Sequence, residues 1–317
     1  MRPAVYIPHH HGAPRLGEAL RSLATQSRPI DVVVVDNGSA DGSRELVESE
    51  FPEVELVAME RNRGFGPALN RAVAERPADP LILLNNDAVC EPTFVEALLE
   101  TALEGTEMVA GVLLQDHGAG AGDDGRRATI DSAGVVADRT LMGFDYLHGE
   151  AVDALEAAAP PLGPTGGAAL YRLDAFRAVG GFDERIFLYY EDLDLALRMR
   201  AAGGRCALAG DARALHAYSA SLGAASGAKY AHTGWSRGYM LRRYGVMSGP
   251  GPALRALACE AAICAGQLLR DRTPQGLAGR LRGWHDGAGL ERREAPAAAL
   301  LDVSAREALA LRRQRRG

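Results

Sequence analysis

Three carboxyl groups open a predicted helix in the stretch FDERIFLYYEDLDLALRMRAAGG, residues 182–204. Glu191, Asp192 and Asp194 directly follow a cluster of aromatic side chains. Carboxylates are favoured in a first helical turn, because they accept hydrogen bonds from free backbone N–H groups and oppose the helix dipole. The same arrangement can hold a general base at the edge of a pocket. Both interpretations stay open here, and Asp194 with Arg198 four residues later predicts a surface ion pair.

Polar residues also follow two hydrophobic runs near the N-terminus. Asp36 closes the run in VVVVDNGSADGS, where its carboxylate could bind a nucleobase or a ribose hydroxyl. The alternative is an Asx turn that only ends the strand. Asn62 and Gly64 lie in NRGFGPALN, whose glycines allow the backbone to come close to a ligand. The alternative there is an ordinary loop between a strand and a helix.

In the stretch LILLNNDAV, an apolar predicted strand is followed directly by Asn85, Asn86 and Asp87. A divalent cation on a diphosphate keeps positions for water and phosphate oxygens, so one or two protein ligands suffice, and Asp87 is a candidate. His216, in ARALHAYSAS, could supply an imidazole to the same ion, since Mn²⁺ accepts mixed nitrogen and oxygen ligands. Turn chemistry at Asp87 and a structural role for His216 are the alternatives.

Three histidines, His9, His10 and His11, follow the first predicted strand. Three consecutive side chains cannot all face one point from an extended strand. We therefore interpret the run mainly as a loop with one imidazole near the ligand. A G-x-G-x-x-G dinucleotide fingerprint is absent from this position.

These candidates lie where predicted strands end. Apolar runs alternate with helical periodicity, which predicts βαβ units and a mainly parallel sheet flanked by helices. The predicted strands are Ala4–Ile7, Ile30–Val35, Val54–Met59, Leu81–Leu84, Met108–Leu114, Ala168–Arg172 and 205–210. Ligands bind outside the carboxyl ends of the strands in such sheets, so the polar residues predict one crevice. A Gly- and Asp-rich loop is predicted at 116–127, short antiparallel pieces at 128–147, and helices from Lys229 onward.

The bulk properties exclude several function classes. The 317 residues carry a formal net charge of −6, which gives no general attraction to nucleic acid. The four cysteines form no C-x-x-C pair, so neither a zinc site nor a disulfide framework is predicted. We predict no signal peptide and no membrane span, and interpret Ala253–Leu269 as an amphipathic helix. The basic ending LRRQRRG fits a solvated tail or contact with anionic lipid headgroups.

Five of these stretches, in order, resemble the family-2 glycosyltransferases, which are inverting enzymes with a GT-A fold. They are VVVVDNGSADGS, NRGFGPALNRA, LILLNNDAV, the segment from GGAALYR to LRMRAAG, and LHAYSAS. The similarity covers roughly Pro3 to Ser221 and is closest to the bacterial rhamnosyltransferase and galactofuranosyltransferase branch. Each stretch alone is weakly specific, and the ordered set is highly specific.

The resemblance implies a role for each candidate. Asp192 matches the proposed catalytic base, with Glu191 as the second choice. Asp87 matches the last acid of the D-x-D motif and, with His216, would hold Mn²⁺ or Mg²⁺. The implied donor-binding residues are Pro8, His10, Asp36, Asn62, Gly64, Asn86 and Asp87. The implied acceptor-binding residues are Gly166, Gly167 and Tyr190.

Two positions depart from the family pattern. The D-x-D motif reads Asn85-Asn86-Asp87, so only its final acid is present, which predicts weaker metal binding. The usual Thr/Ser-Tyr-Asn after the first strand is replaced by three histidines, which leaves the donor nucleotide open.

The predicted organisation is a GT-A domain at 1–228, with a nucleotide-sugar half at 1–115 and an acceptor half at 116–228, and a helical C-terminal region at 229–317. The expected protein is a cytoplasmic or peripheral membrane enzyme that moves a sugar from a nucleotide diphosphate sugar to a lipid-linked or glycan acceptor. A homo-oligomer is open. The alternatives are a nucleotidyltransferase, disfavoured because PHHHGAPRLG is poor in glycine and basic residues, and a non-catalytic nucleotide-sugar-binding protein.

Overall fold

The computed structural model describes residues 2–115, 129–217 and 226–314. The predicted loop at 116–127, the end of LHAYSAS from residue 218 and the last three residues of the basic tail lie outside the described residues. The strands are β1 (Ala4–His9), β2 (Asp31–Asp36), β3 (Glu55–Ala58), β4 (Leu81–Leu84), β5 (Ala88–Cys90), β6 (Met108–Gln115), β7 (Ile130–Ser132), β8 (Val135–Ala137), β9 (Gly143–Asp145), β10 (Ala168–Tyr171) and β11 (Cys206–His216). The helices are α1 (Ala13–Ala24), α2 (Ser43–Glu50), α3 (Phe65–Glu75), α4 (Phe94–Thr101), α5 (Leu173–Ala178), α6 (Glu191–Ala201), α7 (Gly227–Arg243), α8 (Pro250–Arg270), α9 (Gln275–Asp286) and α10 (Ala305–Gln314). Short 3₁₀ turns lie at Val152–Ala157, Val246–Ser248 and Ala297–Ala299.

One large sheet forms the centre of the molecule, in the strand order β3-β2-β1-β4-β10-β6-β11-β5, with β7 beside β6. The strands from β3 to β4 are parallel, and β11 is parallel to β6. Strand β10 is antiparallel to both β4 and β6. The parallel prediction therefore holds for the N-terminal strands, and the inserted β10 makes the whole sheet mixed. The predicted antiparallel pieces appear as the β8–β9 pair and as β7 on β6.

Both faces of the sheet are covered, which explains why the strands read as continuous apolar runs. All four residues of β4 are fully buried. Alternate residues serve the two faces: Leu81 and Leu83 join one apolar cluster, and Ile82 and Leu84 join the other. This alternation follows from the pleat of an extended strand.

The register of the strands brings the polar residues together at one end of the sheet, where the parallel strands terminate. His9 pairs with Asp36 across β1 and β2, and Leu84 of the neighbouring β4 precedes the Asn-Asn-Asp turn. Because β10 runs the opposite way, its first residue, Ala168, pairs with Leu84. Residues just before β10 therefore lie beside residues just after β4. Strand β11 ends at the same side, where His216 pairs with Gln115.

The C-terminal region is helical, as predicted, and it packs closely on the rest of the chain. Helices α7 and α9 touch along glycines: a Cβ on Gly238 would overlap the carbonyl oxygen of Arg280, and one on Gly283 would overlap that of Trp235. The predicted boundary after residue 228 falls in the first turn of α7, and the division into domains stays a prediction.

Candidate functional site

The predicted metal ligands lie side by side at the end of the sheet where the parallel strands terminate. His216 Nε2 is 3.2 Å from Asp87 Oδ1, and its Nδ1 is 2.7 Å from Asp131 Oδ2. His148 Nδ1 in turn donates to the backbone oxygen of Asp131 at 2.7 Å. All of these side chains are largely removed from solvent. Asp131 was missed by the sequence analysis, because it comes from β7, 85 residues before His216, and no local motif marks it.

The two carboxylates control the charge of the imidazole. Burial alone lowers the pKa of His216, but the hydrogen bonds and negative charges of Asp131 and Asp87 outweigh it and raise that pKa to about 9. Burial raises the pKa of Asp131, yet hydrogen bonds from His148 and His216 bring it down to about 2. In the absence of a cation the cluster is therefore a charged histidine between two carboxylates.

This geometry fits a divalent cation with two protein ligands. Two atoms bound cis at about 2.1 Å to one ion lie about 3 Å apart, close to the separation of Asp87 Oδ1 and His216 Nε2. Asp131 accepts from Nδ1, which fixes the tautomer with its lone pair on Nε2. Asn85 Nδ2 lies 3.1 Å from Nε2 and would have to give way to an ion. Within the described ranges no group of three or more His, Cys, Asp or Glu side chains is arranged to hold a metal ion. Remaining positions would go to water and phosphate oxygens.

Asp36 is almost completely buried and already has partners. Its Oδ1 accepts from the Ser39 N–H at 3.1 Å, and its Oδ2 forms an ion pair with Arg44 Nε. Arg44 also donates to the Met59 backbone oxygen at 2.7 Å. The bond from Ser39 spans three residues, one more than an Asx turn does, so the carboxylate stabilises the turn after β2 without forming an Asx turn. This arrangement is compatible with a role in nucleoside binding, because Arg44 is 37% exposed and Asp36 fixes its position.

Neighbouring loops are joined through Asn37, another residue that the sequence analysis missed. Its Nδ2 donates to Asn62 Oδ1 at 3.0 Å and to the Gly64 oxygen at 2.9 Å. Asn62 Oδ1 also accepts from the Gly64 N–H. A Cβ at Gly64, which has φ of 94°, would lie 2.5 Å from the Phe187 oxygen. Glycine is therefore required there, because the loop before α3 touches the segment before α6 at this point.

Among the three histidines, His9 rather than His10 connects to the predicted donor residues. His9 belongs to β1, is buried, and lies 2.8 Å from Asn86 Nδ2 and 2.7 Å from Ser43 Oγ. Burial lowers the pKa of His9 to about 4, so it is neutral at pH 7. Its Nδ1 then accepts from Asn86 and its Nε2 donates to Ser43. His10 is exposed, and Pro8 precedes the pair in β1, partly exposed. The loop interpretation is wrong for His9, which the β1–β2 pairing keeps in the strand.

Asp192 lies at the N-terminus of α6 and is partly exposed. Its Oδ2 accepts from the Gly166 N–H at 3.3 Å, and its Oδ1 accepts from the Leu193 N–H at 2.7 Å. The backbone oxygen of Gly167 accepts a hydrogen bond from the Asn85 N–H at 3.1 Å. The glycine pair thus connects the carboxylate on α6 with the turn that carries Asp87.

Glu191 differs sharply from its neighbour. It is 7% exposed, and its Oε2 has no hydrogen-bond partner in the described parts of the chain. Burial and the nearby charge of Asp192 raise the pKa of Glu191 to about 8. Glu191 is therefore protonated at neutral pH, whereas a general base must be ionised.

The segment before α6 has an unusual backbone. Tyr189 and Tyr190 both have positive φ, at 67° and 72°, a conformation that bulky residues rarely adopt. Phe187 stacks on His232 of α7 with ring centroids 4.9 Å apart, and Lys229 lies 6.0 Å from the ring centroid of Tyr189. Strain of this kind persists only where the surroundings fix it, and such sites cluster around ligands.

The predicted surface ion pair of Asp194 is wrong in its location. The pair with Arg198 exists at 2.8 Å, but Asp194 is fully buried. It also binds Arg293 Nη1 at 2.6 Å and the Tyr244 hydroxyl at 2.8 Å. The C-terminal region, which supplies Arg293 and Tyr244, covers this face of α6, and periodicity could not reveal that.

The sequence model of the Glycosyl transferase family 2 matches residues 4–180. Over 240 residues the chain is 31% identical to an N-acetylglucosaminyl-diphospho-decaprenol L-rhamnosyltransferase of Mycobacterium tuberculosis (strain CDC 1551 / Oshkosh), covering 70% of this chain and 77% of that protein. It is 32% identical over 209 residues to the succinoglycan biosynthesis protein ExoA of Rhizobium meliloti (strain 1021), covering 63% and 58% of the two chains.

Solved structures with a similar fold include the mannosyltransferase PcManGT from Pyrobaculum calidifontis in complex with GDP-Man and Mn²⁺. The TM-score is 0.55 at 21% identity, and the match covers 99% of this chain and 82% of that one. GalNAc-T7 with UDP, GalNAc and Mn²⁺ gives a TM-score of 0.60 at 14% identity, covering 92% and 55%. These likenesses confirm the predicted GT-A fold. Since the family model spans more than half of the chain and includes β1 to β10, the chain belongs to glycosyltransferase family 2 and is a sugar-transferring enzyme.

Proposed function

We propose that this enzyme is an inverting, metal-dependent hexosyltransferase of the rhamnosyltransferase kind, acting in cell-envelope glycan synthesis. Its donor is a nucleotide diphosphate sugar, and its acceptor is a lipid-linked or polysaccharide glycan. The 31% identity to an L-rhamnosyltransferase named for a sugar diphosphate on decaprenol supports the rhamnose-like sugar and the lipid-linked class. The proposed location is the cytoplasm or the inner face of the membrane, where a nucleotide sugar and a lipid-linked acceptor can meet.

One observation carries the proposal. The glycine pair before β10 places a carboxylate, Asp192, and a candidate diphosphate site, Asp87 with His216, around the same sheet edge. An in-line displacement needs a base for the acceptor hydroxyl on one side of the sugar and charge stabilisation for the leaving diphosphate on the other. The site offers both groups and requires no covalent enzyme intermediate.

Asp192 is the proposed base. Backbone N–H donors from Gly166 and Leu193, together with the N-terminus of α6, favour its ionised form. The carboxylate accepts the hydroxyl proton as the oxygen attacks the anomeric carbon of the donor sugar. General-base assistance of this kind contributes about 10²–10⁴-fold to a rate. Gly166, Gly167 and Tyr190 border the carboxylate and form the proposed acceptor side.

Asp87 and His216 would hold Mn²⁺ or Mg²⁺, with Asp131 orienting the imidazole. When bound, the cation neutralises charge on the departing nucleoside diphosphate. The proposed donor residues lie at the ends of β1 and β2 and on the loops after β1, β3 and β4. There Asn86 is held by His9 and Asn62 by Asn37.

The other function classes are less well supported. A nucleotidyltransferase would need cationic groups for a triphosphate after β1, where this chain has an exposed His10 and a neutral His9. A non-catalytic binding protein would not need a carboxylate placed as a base beside the glycine pair.

The first experiment is a thermal-shift screen with UDP, dTDP, GDP and CDP, each with Mn²⁺, Mg²⁺ or EDTA. A ligand that binds only the folded state raises the apparent stability by mass action. We expect one nucleotide to stabilise the protein only with metal, and Asp87→Asn to abolish that shift. The matching nucleotide sugars are then tested for transfer to a polyprenyl diphosphate N-acetylglucosamine acceptor. Binding without transfer of any sugar would favour a binding protein, and no nucleotide binding would remove the proposed donor site.

A further inference from the structure

Helix α8 shows its apolar side chains to solvent. Between Pro250 and Leu269 every exposed residue is Gly, Pro, Ala or Leu. The largest are Leu254, Leu257, Leu268 and Leu269, which are 72%, 58%, 57% and 80% exposed. A helix on the surface of a globular protein normally has the opposite arrangement, with charged residues outward. We call this surface the α8 apolar face.

The polar residues of α8 point inward instead. Glu260 is buried and binds Arg237 of α7 and Arg280 of α9, at 2.6 and 2.5 Å. Arg255 binds Asp138 at 3.0 Å, and Gln267 is 2% exposed. Within the described residues α8 is long and apolar enough to cross a membrane, by length and composition alone. Crossing would pull these paired charges out of the protein, at a large cost, so the contacts favour a helix that stays on the protein.

The charge distribution complements an anionic surface. Residues 229–317 contain 16 lysine and arginine residues against 7 aspartate and glutamate residues, whereas the whole chain contains 35 against 41. Four of these arginines (Arg237, Arg255, Arg280 and Arg293) and Glu260 are paired within the protein, which leaves 12 basic against 6 acidic residues. Residues 1–228 therefore carry an excess of acidic residues, and the C-terminal region carries an excess of basic ones. Arg270 and Arg272, both exposed, lie where α8 ends. Basic residues beside an apolar helical face are typical of helices that lie in the headgroup region of anionic membranes.

We propose that the α8 apolar face docks onto an anionic lipid bilayer, with α8 lying in the plane of the membrane. This surface deepens the proposed function, because a lipid-linked acceptor would then be presented at the surface to which the enzyme is bound.

The β8–β9 pair lies between α6 and the buried side of α8, opposite the α8 apolar face. Met142 and Phe144 pack with Cys259 and Ile263 of α8. At Gly143, between them, a Cβ would meet Leu193 at 3.1 Å and Tyr190 at 3.6 Å. Only this thin layer therefore separates the docked helix from the N-terminus of α6, which carries the proposed base.

The test is co-sedimentation of the full chain with vesicles, without nucleotide or acceptor. Vesicles of phosphatidylcholine alone are compared with vesicles that also contain phosphatidylglycerol, at low and high salt. The variant is Leu254→Gln/Leu257→Gln, which removes apolar surface but keeps helix propensity and charge. The matched control is Leu103→Gln, because Leu103 is 68% exposed and lies after α4, outside the α8 apolar face.

We expect binding to the anionic vesicles, weakened by salt, and a drop of at least about tenfold in the partition coefficient of the double variant. Leu103→Gln should bind as the wild type does. Absence of binding to anionic vesicles, or equal binding by the double variant, would overturn the proposal. A dimer would also overturn the proposal if the double substitution dissociates it in light scattering and no vesicle binding is seen. The α8 apolar face would then be covered by a second copy of the chain. Transfer to a water-soluble acceptor analogue is measured in parallel, so that a failure of the proposed function is seen separately.

Discussion

At the residue scale, the proposed roles of the adjacent carboxyl groups of Glu191 and Asp192 require opposite protonation states. Glu191 is buried and neutral, whereas Asp192 is partly exposed and accepts two backbone N–H groups. Asp192→Asn should lower kcat by about 10²–10⁴-fold while donor binding is kept. Glu191→Gln replaces one neutral group by another of the same shape and should keep most of the activity. Steady-state kinetics with a nucleotide thermal shift measure both variants, and the reverse ranking would make Glu191 the base.

The raised pKa of Glu191 also predicts a pH dependence of stability. In the unfolded chain the carboxyl ionises around its usual value of about 4.3, whereas in the folded protein it keeps its proton up to about pH 8. The folded state therefore binds more protons in this range, and its stability falls as pH rises from about 5 to 8. Glu191→Gln should remove that part of the fall. Chemical denaturation of both proteins across this range checks it, and parallel pH curves would contradict it.

Asp131 is a positioning residue for His216. Asp131→Asn should raise the metal concentration needed for half-maximal activity by about 10–100-fold, because second-shell carboxylates orient metal-binding imidazoles. The acceptor KM should not change. Asp211→Asn, at an exposed aspartate of β11, is the control. The metal dependence of the nucleotide thermal shift gives a readout that does not require turnover, and an unchanged dependence would exclude this role.

At the scale of elements, local apolar patterns were enough to predict the strands of the parallel region. The predicted β4 matches the structure residue for residue, and β6 differs only by one residue at its end. The three-residue β5 was missed because it has no pattern of its own and exists through pairing with β11. For the same reason β11 extends six residues beyond its predicted end to His216.

The residues of the candidate site could be predicted only where a local sequence motif contains them. Asp87, Asp192 and His216 follow from motifs, and the structure keeps them at one sheet edge. Asn37 and Asp131 were missed, and His10 was chosen from the histidine run in place of His9. Each of Asn37, Asp131 and His9 is defined by a partner far away in the sequence: Asn62, His216 and Asn86. Long-range hydrogen bonds of this kind leave no spacing that a single sequence can show.

The contact between α7 and α9 depends on glycine. Gly238→Ala would place a methyl group against the Arg280 carbonyl, so the two helices must separate. We expect a loss of about 1–3 kcal/mol in the free energy of unfolding. Gly266→Ala in α8 is the matched control, because nothing lies within 4 Å of the added methyl group. There the better helix propensity of alanine should stabilise by about 0.5–1 kcal/mol. Equal effects in urea denaturation would mean that the glycine contact is not tight.

At the scale of the whole molecule, the acidic residues 1–228 and the basic C-terminal region are joined by buried charge pairs. Arg293, from beyond α9, binds Asp183 and Asp194 on either side of the strained tyrosines, at 2.8 and 2.6 Å. Arg237 donates to the backbone oxygens of Thr140 and Leu141, next to β9. The same region thus packs on α6, which carries the proposed base, and presents the α8 apolar face to solvent.

A chain that ends at Ala228 should therefore fail to fold stably, although the motifs that define the family lie before that point. It would lose the guanidinium of Arg293 and leave Asp194, which is fully buried, with Arg198 as its one cation. It would also expose core that Tyr239 and Met240 cover in the full chain. Circular dichroism with urea should show no cooperative transition for this shortened chain, and one transition for the full chain. A cooperative transition at the same midpoint would instead establish residues 1–228 as an independent domain, with the C-terminal helices serving attachment alone.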